Sequence, residues 1–374
     1  MKVLTLTMEN QYARAIKCSF MEHYNVESLL GEGSFGSVYL ARHIKTQNPV
    51  AVKAIPRATL KKPSVLSDLR NEITTLLAVN HPNLIHLEAV FDDDDEHVFL
   101  VMEYAPGGEL FEQIVQRASN YTDNEARSIL VQTARAVHYL HTKNIVHRDL
   151  KPENIVLSSM QGDAGIKIID FGFATTLKDG ECMTEICGTP GYCAPEILKG
   201  LPYDNRCDVW SLGIVLYVLL AGAQPFYHDD EAEEERRIFS GDLHFPAKSF
   251  ANSPVAVDLL RNMLCVEPKD RLTMKQVLDH DWCTRPLEAR PLGHVVSGLN
   301  SLLAQKRWKK AFNCTKIIAR TKICAEVRRI VSSCSEKKSI IHQGPHHVQR
   351  QLFVSGCSSF ESSNSDDSNS ELLF

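Results

Sequence analysis

Eight consecutive residues, His147-Arg148-Asp149-Leu150-Lys151-Pro152-Glu153-Asn154, carry the densest chemistry in the chain. An aspartate can take the proton of an attacking hydroxyl, and an asparagine five positions on offers an amide oxygen to a hard cation. Lys151 is spaced to neutralise a phosphoryl group in transit. Asp170-Phe171-Gly172 follows a short β run, Ile166–Ile169. Asp170 supplies a second oxygen ligand for a Mg2+ ion that bridges phosphates. Upstream, Leu30-Gly31-Glu32-Gly33-Ser34-Phe35-Gly36-Ser37-Val38 is a GxGxxGxV element between two β runs. Its glycines let backbone N–H groups approach phosphate oxygens. A Gly-rich hairpin or a dinucleotide loop matches the same pattern, but a dinucleotide loop opens a helix. Here Val38-Tyr39-Leu40 continues as a strand, which favours a flap over ATP. Lys53, in Val50-Ala51-Val52-Lys53, suits the α- and β-phosphates if an acid orients it, and Glu72 is the candidate partner. Taken singly, either residue is an ordinary solvated charge. The order of all these motifs, closed by Ala194-Pro195-Glu196, is what carries the reading.

The elements that must position these residues divide in two. Short β-type runs at Val26–Leu30, Val38–Arg42, Val50–Ile55, Leu84–Phe91 and Val98–Tyr104 are interrupted by one helical stretch near Ser67–Val79. After Pro106-Gly107-Gly108 the pattern is largely helical. Thr122-Asp123-Asn124-Glu125 is a capping box, followed by Ala126, Ile129, Leu130, Val137 and Leu140 at helical spacing. The chain has 374 residues, 44% hydrophobic, with a formal net charge of −5; this mild charge argues neither for nor against nucleic acid, and no nucleic-acid partner is expected. Eleven scattered cysteines without a CxxC pair, and no signal-peptide pattern, fit free thiols in a reducing cytoplasm, with nuclear access left open. The uncharged run Val209–Tyr227 is expected as a buried helix and not a membrane span, because its apolar part stops at Gly222 and Pro225.

From about Tyr24 to Trp282 the chain resembles a eukaryotic protein kinase catalytic domain. The resemblance implies an α+β, bilobal protein kinase fold spanning 23–282. A small β-rich N-lobe (23–105) with one helix joins a larger helical C-lobe (106–282), and ATP with Mg2+ sits in the cleft. It makes Met102 the gatekeeper and has the backbones of Glu103 and Ala105 hold adenine. Leu30, Val38, Ala51 and Leu157 sandwich the ring, and residues 31–37 form the flap. Lys53 and Glu72 pair, Asp149 is the base, and Asn154 and Asp170 hold the metal. Glu196 pairs with Arg271, and Asp208 caps the central helix and braces the catalytic loop. Lys151 and Gly188-Thr189-Pro190 resemble the serine/threonine type, with Thr189 on the substrate side. Arg148, before the catalytic Asp149, awaits a phosphate or an acid on the activation loop.

Gly107-Gly108-Glu109-Leu110-Phe111 resembles the calcium/calmodulin-dependent group, in which Glu109 and Glu153 would read a basic residue before the target Ser/Thr. Asp229–Glu235 either extends that acidic surface or is a solvated helix start. From Arg290 to Lys322 there is no acid, and Trp308, Phe312 and Ile317 sit at 1-5-10 spacing among bases. By itself this pattern fits calmodulin's acidic groove, a nuclear signal, a membrane-surface helix or a helix packed on the domain. Lys306, Arg307, Trp308, Lys309 and Lys310, with Phe312 and Ile317, further resemble the regulatory segment of calcium/calmodulin-dependent protein kinase type I. That resemblance makes 283–330 an autoinhibitory and calmodulin-binding segment, with about 284–305 lying over the large lobe and blocking the substrate site until Ca2+/calmodulin lifts it.

Residues 1–22 are expected as a loose lead-in and 331–374 as a Ser-rich disordered tail. Asp92–Glu96 lacks the Gly and final Glu of a calcium loop, so calcium would be sensed by a partner. Type I kinases usually carry an activating Thr two residues before Cys-Gly-Thr-Pro; here that position is Glu185, with Thr184 before it. Either Glu185 supplies the charge for Arg148, or an upstream activating kinase phosphorylates Thr184. Two alternatives stand beside this reading. One is a pseudokinase scaffold, which the presence of Lys53, Asp149 and Asp170 disfavours; the other is a kinase not controlled by calmodulin. A monomer without membrane attachment is expected.

Overall fold

β-Branched and aromatic residues dominate the early runs, and these become strands. A computed structural model of the chain describes residues 19–32, 36–92, 96–116, 121–159, 165–178, 180–286 and 290–305. A five-stranded antiparallel sheet comprises β1 (Tyr24–Glu32), β2 (Ser37–His43), β3 (Pro49–Pro56), β4 (Leu87–Phe91) and β5 (His97–Glu103), in the order β1-β2-β3-β5-β4. Strand alternation turns Val50, Val52 and Ala54 into an aromatic cluster behind the sheet and leaves Ala51 and Lys53 for the cleft. Phe20 joins that cluster, stacked on Phe99 at 4.3 Å and on Tyr24 at 5.3 Å. The packed body therefore begins before residue 23, inside the expected lead-in; a lone aromatic ahead of the first strand has no periodicity to announce it. Helix α1 (Pro63–Ala78) starts earlier than the expected Ser67, because Pro63 is preset for a first helical turn.

The large lobe contains α2 (Leu110–Gln116) and α3 (Asp123–Thr142), whose Thr122/Glu125 capping box forms in both directions. Four short strands follow: β6 (Ile145–Val146), β7 (Ile155–Leu157), β8 (Ile166–Ile168) and β9 (Thr175–Thr176). They pair β6 with β9 and β7 with β8. Then come α4 (Pro195–Leu198), α5 (Arg206–Ala221), α6 (Glu231–Ser240), α7 (Ala247–Phe250), α8 (Pro254–Met263), α9 (Met274–Asp279), α10 (Asp281–Thr284) and α11 (293–305). Helix α5 is buried on nearly every side, as the uncharged run from Val209 onward requires. Among the described residues no helix is long and apolar enough to cross a membrane.

Arg271 is wholly buried and grips Glu196 through two bonds, Nη1–Oε1 at 2.7 Å and Nη2–Oε2 at 2.9 Å. It also donates to the carbonyls of Cys265, Arg206 and Val266. Arg271→Leu would strand a buried carboxylate, and a loss of about 3–5 kcal/mol is expected in urea unfolding.

Helix α11 is part of the core. Val295 and Leu299 are fully buried, with Leu292 and Leu303 nearly so. Gly298 crosses Gly222 at the end of α5 so closely that a Cβ on Gly298 would run into the Gly222 carbonyl. Arg290 clasps Asp123 at the start of α3, its N–H on Oδ1 and its Nε on Oδ2, both at 2.9 Å. Its guanidinium also reaches Ser253 and the Asn252 carbonyl. The packed body thus runs past the expected boundary at 282. Over 290–298 the segment expected to lie over the large lobe is packed into it. Helix α11 seats at the start of α3 and the end of α5. The opposite ends of these helices meet the catalytic loop, about 30 Å and 24 Å away at 1.5 Å per residue. The expected calmodulin contacts from Lys306 to Ile317 and the tail lie outside the described residues.

Candidate active site

The cleft between the lobes encloses a cavity of about 370 Å3. Leu30, Val38 and Ala51 form its roof, the segment Met102–Ala105 its back wall, and Val156 and Ile169 its floor. Leu157, expected in the sandwich, does not line it. Side chains alternate along β7, so with Val156 on the cleft side Leu157 turns away. Leu157 instead ties down the interlobe link: its carbonyl accepts from Gly107 and its N–H donates to Gly108, each at 3.0 Å. Glu32 and Ser37 pair at the base of the flap hairpin. Gly33, Ser34 and Phe35, at its tip, lie outside the described residues. Gly36 is needed as glycine, because a Cβ there would strike the Ala54 carbonyl.

Polar groups gather at the inner end. Lys53 Nζ donates to Glu72 Oε1 at 2.6 Å, the pair drawn together from β3 and α1 and nearly shut from water. Asp149 lies at a convergence of donors. Lys151 Nζ reaches its Oδ2 at 2.7 Å, Asn154 Nδ2 reaches the same oxygen at 3.2 Å, and Thr189 Oγ1 donates to Oδ1 at 2.7 Å. Lys151 also donates to Thr189 Oγ1 at 2.7 Å, closing a triangle between catalytic loop and activation segment. The Gly172 N–H holds Asp170 Oδ1 at 2.9 Å, and Phe171 is buried against the His147 ring. Glu109 and Glu153 both line the cavity mouth.

Asp208 holds the loop from below. It accepts the His147 and Arg148 N–H groups, each at 2.9 Å, and lies 2.8 Å from His141 Nε2. Burial alone would raise its carboxyl, but the bonds and charge of His141 and His147 outweigh burial and hold it below the usual range. It braces the loop as expected but does not cap α5. It sits within the first turn of that helix, and the capping position belongs to Asn205. Burial pushes the His147 imidazole down, against the opposing pull of Asp208, Asp170 and Asp149.

These residues fit a nucleotide and a metal. The slot is apolar where a flat ring would lie and polar where phosphates would reach. Asp170 and Asn154 are oxygen ligands suited to a hard cation, and no His/Cys/Asp/Glu metal cluster occurs among the described residues.

A family model for the protein kinase domain matches residues 24–283. Calcium/calmodulin-dependent protein kinase type 1 of Macrobrachium nipponense is 37% identical over 314 residues, covering 83% of this chain and 90% of that protein. The type 1B enzyme of Rattus norvegicus is 38% identical, covering 79% and 85%. The type IV enzyme of Mus musculus is 39% identical, covering 83% of this chain and 62% of its own length. The chain is a serine/threonine protein kinase of the calcium/calmodulin-dependent group. A protein kinase domain implies the use of ATP and a divalent metal, generally Mg2+. The kinase also uses residues that sequence reasoning passed over. Val156 was one position from the expected Leu157. Tyr203 clamps the activation segment from a distance, and Asp68 on α1 senses the charges of Glu185 and Arg148; neither belongs to a recognisable motif.

Proposed function

We propose that this kinase transfers the γ-phosphoryl group of ATP–Mg2+ to Ser or Thr hydroxyls that follow basic residues, and that Ca2+/calmodulin releases it from autoinhibition. The observation that carries the chemistry is the convergence of Lys151, Asn154 and Thr189 on Asp149. Asp149 takes the proton as the substrate oxygen bonds to phosphorus and the bond to the bridging oxygen of ADP breaks. Lys151 faces the charge that accumulates on the moving phosphoryl group. Lys53, oriented by Glu72, holds the α- and β-phosphates. Mg2+, held by Asp170 and Asn154, would shield the phosphate charge. Glu109 and Glu153 attract a basic residue upstream of the target hydroxyl.

Control by calmodulin is supported by the names of the relatives and by the basic run that begins at Lys306, directly after α11. Helix α11 anchors the segment to the lobe, and the block itself falls to residues after 305. Calmodulin relieves it if its affinity for the basic run exceeds the segment's docking energy. The test is transfer to a basic serine peptide by the intact chain, with and without Ca2+/calmodulin. At least tenfold stimulation is expected, and Trp308→Ala is expected to weaken calmodulin binding about 30-fold. Equal activity with and without calmodulin, and no binding at micromolar concentration, would refute the switch and leave the kinase assignment standing.

A further inference from the structure

Arg148 is held in a left-handed backbone conformation, φ 67°, a strained state of the kind that collects at functional sites. Its side chain turns toward the activation segment. Nε donates to the Phe173 carbonyl at 2.7 Å, and Nη1 donates to Glu185 Oε2 at 2.9 Å and to the Tyr203 hydroxyl at 3.3 Å. The arginine side chain is only 9% exposed, whereas Glu185 is 69% exposed. A largely buried guanidinium has therefore drawn an otherwise solvated carboxylate onto itself. The segment around that carboxylate is fastened independently. The Tyr203 hydroxyl donates to the Glu185 carbonyl at 2.7 Å, and Met183 and Tyr203 exchange both backbone hydrogen bonds at 2.9 Å.

The charge balance at this point suits one negative charge. Arg148 is paired with Glu185, and a second acid, Asp68 on α1, lies within electrostatic reach of both. Burial and then the charge of Glu185 push the Asp68 carboxyl up, while Arg148 pulls it down, so all three groups sense one another. With Asp68 already within electrostatic reach, a phosphate of nearly two negative charges at this position would meet more repulsion than the single charge of Glu185 does.

We propose that Glu185 is a built-in positioning residue that replaces the activating phosphate. Through Arg148 and the adjoining peptide it holds Asp149 in line without an upstream kinase. The inference deepens the proposed function and rests on that reading of Asp149 as the base.

The test uses the intact chain, treated with phosphatase and shown by mass to be unphosphorylated, assayed on a basic serine peptide with and without Ca2+/calmodulin. Wild type is expected to be fully active once calmodulin is present. Glu185→Gln is expected to lower kcat about tenfold, with KM for ATP and peptide within about twofold and little change in thermal midpoint. Glu185→Asp should recover most of the loss, which a merely steric role would not explain. A wild-type kcat in Glu185→Gln overturns the proposal, as does loss of wild-type activity on phosphatase treatment, which would point to Thr184. If calmodulin has no effect on either form while Glu185→Gln still falls, the calmodulin reading fails and this proposal stands.

Discussion

Asp149→Asn is expected to lower kcat by about three orders of magnitude, within the range that a positioned general base contributes. Asparagine keeps the size of the side chain and one oxygen for Lys151, which now donates to Asp149 Oδ2 at 2.7 Å. Its amide can turn its N–H toward the Thr189 hydroxyl, where Oδ1 now accepts at 2.7 Å. The loop should therefore hold, because Asp208 and not Asp149 secures its backbone. What is lost is the proton acceptor and one negative charge beside Lys151. Accordingly the thermal midpoint should move by no more than about 2 °C and KM for ATP by about twofold, so that the defect sits in kcat. If Asp149→Asn kept a tenth of wild-type turnover, another group would be taking the proton.

The family and the bilobal fold were legible because the chemistry is local in sequence. Eight adjacent residues carry the catalytic loop, three carry Asp170, and strand alternation puts Lys53 in the cleft. What escaped depends on a phase or on distance. Leu157 and Val156 differ by one position, and the choice between them is which side of a three-residue strand faces the cavity. No periodicity can set that phase over so short a run. Phe20 has no pattern to join, and its burial depends on Phe99 and Phe91 arriving from other strands. The acid at position 185 was readable, but its meeting with a guanidinium 37 residues away, under the Tyr203 hydroxyl, is a fact of three dimensions.

Helix α11 is the largest such case, and it predicts where the chain can be cut. From sequence, Pro286 and Pro291 read as the start of a linker and the acid-free run beyond them as a regulatory arm. The first half of that arm, expected to lie over the large lobe, is a wall of it. A chain ending at 282 would lose the buried side chains of Leu292, Val295, Leu299 and Leu303 and the Arg290 clasp on Asp123. It would also uncover the end of α5 at Gly222 and the Tyr121 carbonyl, which now accepts the Leu292 N–H at 2.8 Å. Removing one buried leucine side chain from a core typically costs ~2–5 kcal/mol, so losing these three leucines and Val295 with their backbone should cost at least about 5 kcal/mol. At about 2 °C per kcal/mol for a domain of this size, the thermal midpoint should fall by about 10 °C. A chain ending at 305 keeps all of these contacts and should melt within about 2 °C of the intact protein. Gly298→Leu in the intact chain should reproduce the destabilisation, since the side chain cannot fit against the Gly222 backbone. Equal melting of the 282 and 305 truncations would show that α11 rests on the lobe without supporting it. Release by calmodulin would then lift the whole segment, whereas a supporting α11 would stay in place and confine release to residues beyond 305.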